Sequence, residues 1–139
     1  MKKQLLALVG VLSLILVAGS AFAQSEEVRA NIPFNFVVNK TTMPAGTYSI
    51  TRTGITSDAL AIRGLSCKAA LLVGTMRRSS AKTNDRSKLV FHRYGDRYFL
   101  SQIWVEGSDH MRVLPKTNLE SEVALDLTSK DVVLYASAR

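Results

Sequence analysis

The chain has 139 residues, of which 47% are hydrophobic, and its 18 basic and 11 acidic side chains give a formal net charge of +7. Cys67 is its one cysteine. An intramolecular disulfide is therefore excluded, and packing has to stabilise the folded state. We expect the Cys67 thiol to behave as a small buried apolar group, with an intermolecular disulfide as the alternative.

Residues 1–23 have the pattern of an export signal. Two lysines precede a nearly unbroken apolar run over residues 5–17, and Ala21 and Ala23 form a small-x-small cleavage motif. We expect cleavage after Ala23 and export to the periplasm or beyond the cell. The apolar run is too short for a comfortable membrane span, and no integral span is expected after signal removal.

The remaining residues, 24–139, are expected to form a single exported domain, because a chain of this size can build one core. Without the two N-terminal lysines it carries sixteen basic and eleven acidic side chains, a net charge of +5. The excess is concentrated in residues 63–97, which hold nine basic and two acidic side chains. This middle third is a candidate polyanion-facing region, and a solvated surface of strands and loops is the alternative.

Alternation with a period of two dominates the mature sequence. From residue 28 to residue 38 the even positions are apolar and most odd positions are not, which predicts a half-buried strand. Pro33 inside this run favours an edge position or a bulge. Further strands are predicted over residues 47–53, 59–65 and 68–76, where the same alternation or short apolar runs occur.

The clearest hairpin covers residues 88–105, with a Gly-Asp pair at its tip that suits a type II′ turn. A regular ladder around this turn places Leu89 opposite Gln102, and Phe91 on the same buried face as Trp104. Both faces are rich in apolar residues. We therefore expect the hairpin to be covered on both sides, by a second sheet or barrel wall and by the C-terminal element or a protein partner.

The C-terminal segment carries a helix signal. Residues 117–120 match a capping box, and apolar residues follow at helical spacing, which predicts a helix over residues 117–127 with a strand as the alternative. A short strand is predicted before it, over residues 110–114, and a last one after it, over residues 132–136. These patterns predict a mainly β protein: an antiparallel sandwich or barrel of seven to eight strands with one short C-terminal helix.

One long polar interruption separates the predicted strands. Residues 77–87 contain no apolar side chain except an alanine, so we expect a mobile surface loop that cannot pack onto the core. Through residue 88 this segment carries five cations against one carboxylate, Asp85. Exposed like charges contribute little to folding, and the arginine fork suits phosphate and carboxylate groups. The candidate anion-binding residues are Arg77, Arg78, Lys82, Arg86 and Lys88.

Groups for nucleophilic catalysis are scarce. Ser108, Asp109 and His110 are the residue types of a hydrolase triad, but three consecutive residues cannot form the chain of nucleophile, base and orienting acid. His92 lies among aromatic residues in a predicted strand, and we expect a hydrogen-bonded core histidine. The sequence therefore assigns no catalytic residue.

Metal and cofactor signals are missing from the sequence as well. The histidines and the cysteine lack zinc-ligand spacing, and no phosphate-binding loop or dinucleotide fingerprint occurs, so neither a metal nor a cofactor is assigned. Paired carboxylates for glycoside hydrolysis stay open, because Glu106, Asp109, Glu120 and Glu122 can meet in a folded chain.

Four segments have a familiar composition: residues 31–34 (NIPF), 43–48 (MPAGTY), 88–100 (KLVFHRYGDRYFL) and 114–116 (LPK). Together they resemble a family of small uncharacterised exported proteins of soil bacteria, over roughly residues 28–120. The resemblance implies export and no particular activity.

The sequence favours a non-enzymatic exported β-domain with a binding or scaffolding role at or beyond the cell envelope. Its basic loop would face an acidic polysaccharide or another envelope polyanion. Two alternatives are a small polysaccharide-acting enzyme and a small-ligand carrier. The carrier would use a barrel interior lined by Phe36, Tyr48, Phe91 and Trp104.

Overall fold

The computed structural model describes residues 27–54 and 58–138, so the predicted export signal and its cleavage site lie outside the described residues. Within the described ranges there are twelve strands and one α-helix, arranged as two mostly antiparallel sheets in a sandwich. The prediction of a mainly β protein with one short C-terminal helix is confirmed. The described part of the chain holds no helix with the length and apolar character needed to cross a membrane.

The strands are short, and there are more of them than the alternation alone predicts. In chain order the elements are β1 (Glu27–Ile32), β2 (Phe36–Val38), β3 (Thr41–Met43), β4 (Gly46–Arg52), β5 (Ala59–Gly64), β6 (Ala70–Gly74), β7 (Met76–Ser79), β8 (Lys88–Tyr94), β9 (Arg97–Trp104), β10 (His110–Val113), α1 (Asn118–Asp126), β11 (Lys130–Tyr135) and β12 (Ser137–Ala138). The first sheet has five strands in the order β12-β1-β4-β5-β6. The second has the path β11-β8-β9-β10-β7, with β2 joined to β9 and β3 to β2.

Pro33 ends a strand and sends the chain to the other sheet. β1 pairs with β4 on one side and β12 on the other, so it is not the edge strand that Pro33 suggested. After the proline, β2 joins the second sheet through a parallel contact between Val37 and Phe99. Proline has no N–H to donate, which suits a residue between two ladders. The predicted alternation is nonetheless real, because the even positions stay buried or half-buried through both strands.

The core lies between the two sheets and is filled by side chains. Phe36, Tyr48 and Phe91 are at most 1% exposed, and their rings meet edge to face. The interior is therefore packed protein, and the proposed carrier lumen lined by these residues is not formed. Cys67 is half-buried and packs against this core, with its thiol 3.6 Å from the Tyr48 hydroxyl. Burial raises the pKa of Tyr48, whose protonated hydroxyl donates to the carbonyl of Pro44.

A β-bulge changes the register of the central hairpin. Near the turn the predicted pairs form, with Phe91 opposite Leu100. The register then shifts by one residue, so Leu89 faces Ile103 and not Gln102. Since a slip of one residue moves a side chain to the other face of a strand, Ile103 joins the core and Trp104 lies outside it. The prediction that Trp104 shares the buried face of Phe91 is wrong.

The start of the helix α1 lies over the outer face of the hairpin near its turn, where Glu120 is the buried residue of the helix. Its N-cap is Thr117, whose side chain accepts a hydrogen bond from the Glu120 backbone, as the capping signal predicts. Glu120 then turns to the sheet and hydrogen-bonds His92 and Tyr94. The expected cover is therefore present at this end. At the other end, around Lys88, the outer face lies open as a groove.

The hairpin turn depends on a residue with positive φ. Gly95 has φ 59° and Asp96 does not share this conformation, which agrees with the predicted II′ turn. We expect Gly95→Ala to lower the free energy of unfolding by about 1–2 kcal/mol, because a Cβ disfavours the left-handed region. Gly74→Ala is the matched control. A Cβ at Gly74 meets nothing within 4 Å, and Gly74 lies in a strand, so urea denaturation should show no loss there. Equal losses would contradict the turn assignment.

Candidate functional site

The predicted basic loop is partly strand. Arg77 and Arg78 belong to β7, which pairs with β10 along four residues, so the polar connection is reduced to residues 80–87. Backbone pairing does not need apolar side chains, and for this reason composition alone missed the strand. Both arginines are exposed. Adjacent strand residues point to opposite faces, so the two side chains do not converge.

The rest of the connection is anchored to the sandwich, which corrects the expectation that it cannot pack. Asn84 is 8% exposed, and its side-chain amide donates to the carbonyls of Val105 and His110, each at 3.1 Å. Ser87 is 1% exposed, and its hydroxyl accepts from the Glu106 backbone. A polar side chain can be buried when hydrogen bonds satisfy it, so two short residues fasten a segment without an apolar anchor.

A basic groove of about 320 Å³ lies between this connection and the outer face of the second sheet. It brings together three of the five predicted anion-binding residues, Lys82, Arg86 and Lys88, with Asp85 as the acidic side chain of its lining. The lining of the groove therefore has a net charge of +2. Trp104 and Tyr135 form part of the wall.

The aromatic wall follows from strand register. Lys88 on β8 lies directly opposite Trp104 on β9 and opposite Tyr135 on β11, so the three side chains form one row across the outer face. The Lys88 ammonium lies 4.4 Å from the centre of the Trp104 ring, and the Arg86 guanidinium lies 4.0 Å from that of Tyr135. Both distances suit cation–π attraction, which holds the cations in place without neutralising them.

Arg77 belongs to a different cluster. Its guanidinium lies 3.1 Å from His110 Nδ1, and the same nitrogen is 2.8 Å from the Ser108 hydroxyl and 3.0 Å from Asp109. The His110 hydrogen bond lowers the pKa of the Asp109 carboxyl. In a catalytic triad the serine and the acid contact opposite ring nitrogens, whereas here both are closest to one. The cluster therefore does not form the chain that the residue types suggest.

Glu120 is the ionisable residue whose environment the sequence did not predict. It is 6% exposed, and its Oε1 atom receives hydrogen bonds from His92 Nδ1 at 2.7 Å and the Tyr94 hydroxyl at 3.1 Å. The predicted hydrogen bond of His92 is confirmed, but its side chain is 30% exposed and lies outside the core, so the prediction of a core histidine is wrong. The sequence signal at Glu120 is its position in the capping box. That motif predicts a carboxylate that turns back toward its own helix, so it did not predict the contacts with a strand.

The carboxylates considered for glycoside hydrolysis do not converge. Glu106, Asp109 and Glu122 are exposed, and none of them lines the cavity that Glu120 lines. Among the residues that the structure describes, no group of three His, Cys, Asp or Glu side chains is arranged to hold a metal ion.

Comparison of the chain with protein-family models, curated proteins and solved structures found no match. The resemblance to a family of exported proteins therefore stays a prediction, and any function has to be argued from the groove and the cavities.

Proposed function

We propose that this protein is an exported, non-enzymatic binding domain whose basic groove binds an acidic polysaccharide at or beyond the cell envelope. One observation carries the proposal: the row of Trp104, Lys88 and Tyr135, with Arg86 on the tyrosine ring, presents fixed cations beside planar aromatic faces. Such a surface offers both attraction for carboxylates and a flat apolar platform for sugar rings.

The charge distribution supports an anionic polymer over a neutral one. Lys82, Arg86 and Lys88 face the groove with Asp85 as the opposing charge, and exposed like charges add little to stability. Their value lies in attracting an anion, and their attraction falls with salt because surface charges are screened. Arginine adds a planar fork that suits carboxylate groups.

The aromatic side chains support a sugar polymer over a bare polyanion. Tyr135 is 59% exposed. The Arg86 cation contacts only one face of its ring, so much of the ring stays open to solvent. Tyrosine and tryptophan combine an apolar ring with one polar group. They are therefore common in binding sites that have an apolar surface beside a hydrated edge. The uronate units of an acidic polysaccharide have an apolar ring face and a carboxylate, and so match both parts of the groove.

We expect the triple variant Lys82→Ser, Arg86→Ser, Lys88→Ser to bind polygalacturonate about tenfold more weakly than wild type. Three exposed charge contacts at about 0.2–1 kcal/mol each sum to that order. The salt dependence of binding should flatten in the same variant. Isothermal titration at two or more ionic strengths measures both quantities.

The matched control removes the same charge from exposed positions outside the groove lining: Arg63→Ser, Lys68→Ser, Arg97→Ser. It should retain most of the affinity and melt as wild type does. The groove variant should lose only about 1–2 kcal/mol of stability, because it removes the cation–π contacts of Lys88 and Arg86. If the two variants lost the same affinity, the effect would come from net charge alone, and a binding site in the groove would be contradicted. Tighter, salt-sensitive binding to single-stranded nucleic acid than to polygalacturonate would reject the polysaccharide.

A further inference from the structure

A second cavity, of about 220 Å³, opens between β2, β6, β9 and the start of α1, and shares no lining residue with the basic groove. Most of its wall is apolar, with Val37, Val73, Phe99 and Leu114 among the lining side chains. Glu120 is the ionisable residue of this lining. Ligand sites commonly have this composition, an apolar wall with a few placed polar groups.

The Glu120 carboxylate has capacity left for a ligand. Its Oε1 atom takes both protein hydrogen bonds, from His92 and from Tyr94, and its Oε2 atom accepts none from any described residue. Burial raises the pKa of Tyr94, so that hydroxyl stays protonated and acts as a donor. A carboxylate accepts through both oxygens, and Oε2 is not among the described buried atoms that lack a partner, so it is open to accept a hydrogen bond from water or from a ligand.

The charges around the carboxylate leave room for one more cation. Glu120 and Asp131, which lies 3.8 Å from the other nitrogen of His92, bring two negative charges to the network. Lys116 interacts with the Tyr94 hydroxyl and brings one positive charge, and the ion-pair partner of Glu120 among the described residues is His92, at 2.7 Å. Burying a carboxylate is costly unless a charge or several donors compensate it, and a bound cation would add to the compensation that His92 and Tyr94 supply.

We propose that this cavity binds a small organic cation, a primary ammonium group on a short apolar chain. The ammonium would donate to Glu120 Oε2, and the chain would lie against the wall formed by Val37, Val73 and Phe99. The cavity is smaller than the roughly 300–1,000 Å³ of sites for drug-sized ligands, which sets the limit to a short chain. This inference is independent of polysaccharide binding, because the two sites have no residue in common.

The probe is n-butylammonium, titrated into the purified protein and followed by NMR, with 1-butanol and butyrate as neutral and anionic probes of equal length. Butylammonium should bind at least tenfold more tightly than butanol, because only the cation makes a charge-assisted hydrogen bond. Butyrate should show no saturable binding. Equal binding of the amine and the alcohol, or no binding of the amine, would overturn the proposal.

Two variants locate the binding. Glu120→Gln keeps the size of the side chain and should abolish the preference for the amine. Since this change can also disturb His92 and Tyr94, a second variant leaves that network alone: Val37→Phe enlarges a half-buried side chain of the cavity lining. It should weaken both probes at least tenfold, whereas Leu72→Phe, exposed and outside the lining, should not. An unchanged preference in Glu120→Gln, or unchanged binding in Val37→Phe, would place the amine elsewhere and reject the site.

Discussion

Replacing Phe91 with alanine is expected to lower the free energy of unfolding by about 3–5 kcal/mol, the usual cost of truncating a buried large aromatic residue. Phe91 is fully buried, and its ring meets those of Phe34 and Phe36 edge to face with centroids 5.1 and 5.7 Å apart. The substitution removes apolar contacts and leaves a cavity between the two sheets. A domain of ordinary stability would lose about a fifth or more of its free energy of unfolding, which urea denaturation followed by fluorescence will measure.

Trp104→Ala is the informative comparison, because a regular hairpin would place the two rings on one face. The bulge puts Trp104 outside the core, half-exposed, where it contacts the Lys88 ammonium and donates to Gln102. We therefore expect a loss of only about 1 kcal/mol, the size of an exposed cation–π contact. Losses of equal size in the two variants would mean that the ladder is regular and that Trp104 lies in the core.

The second large effect is expected at Asn84. Asn84→Ala removes two hydrogen bonds from its amide; the Val105 carbonyl still accepts from the Ser108 backbone, and the His110 carbonyl loses the Asn84 donor. An unsatisfied buried polar group costs about 1–3 kcal/mol, and we expect a loss of that size in the free energy of unfolding. Thr83→Ala is the control, because Thr83 is exposed and its truncation should stay within about 0.5 kcal/mol of wild type.

Asn84 also connects stability to binding. It fastens the segment that carries Lys82 and Arg86, both of which line the basic groove. We expect Asn84→Ala to weaken polygalacturonate binding at a temperature where the variant is still folded, although no charge has been removed. Full affinity in a destabilised Asn84→Ala protein would show that the cations do not need this anchor and act as a diffuse charge.

The sequence by itself determined those elements that form from interactions between residues close together in the chain. Alternation of apolar residues predicted one strand over residues 28–38, which the structure divides at Pro33 into β1 and β2, and the Gly-Asp pair predicted the hairpin turn. Thr117 predicted the start of the helix. Periodicity, turn chemistry and capping each act within a few residues, so a single sequence contains all the information they need.

The sequence also identified the region of excess positive charge, but only the tertiary structure decided which cations act together. Lys82, Arg86 and Lys88 share a groove, whereas Arg77 contacts His110. The aromatic wall could not be predicted, because Tyr135 reaches Lys88 only through the pairing of β11 with β8. Pairing between distant strands is set by the packing of the whole sheet and leaves no local pattern.

Two single-residue features had the largest consequences for the candidate sites. A bulge beside Leu100 moved Trp104 from the predicted core to the groove, and hydrogen bonds from His92 and Tyr94 drew the Glu120 carboxylate away from its cap and into a cavity. A register shift changes the face of every residue beyond it, and a buried carboxylate takes whichever donors the folded chain presents. Composition and spacing therefore determined that this chain forms a β-sandwich with a basic middle, while long-range register and hydrogen bonding decided where its side chains can bind.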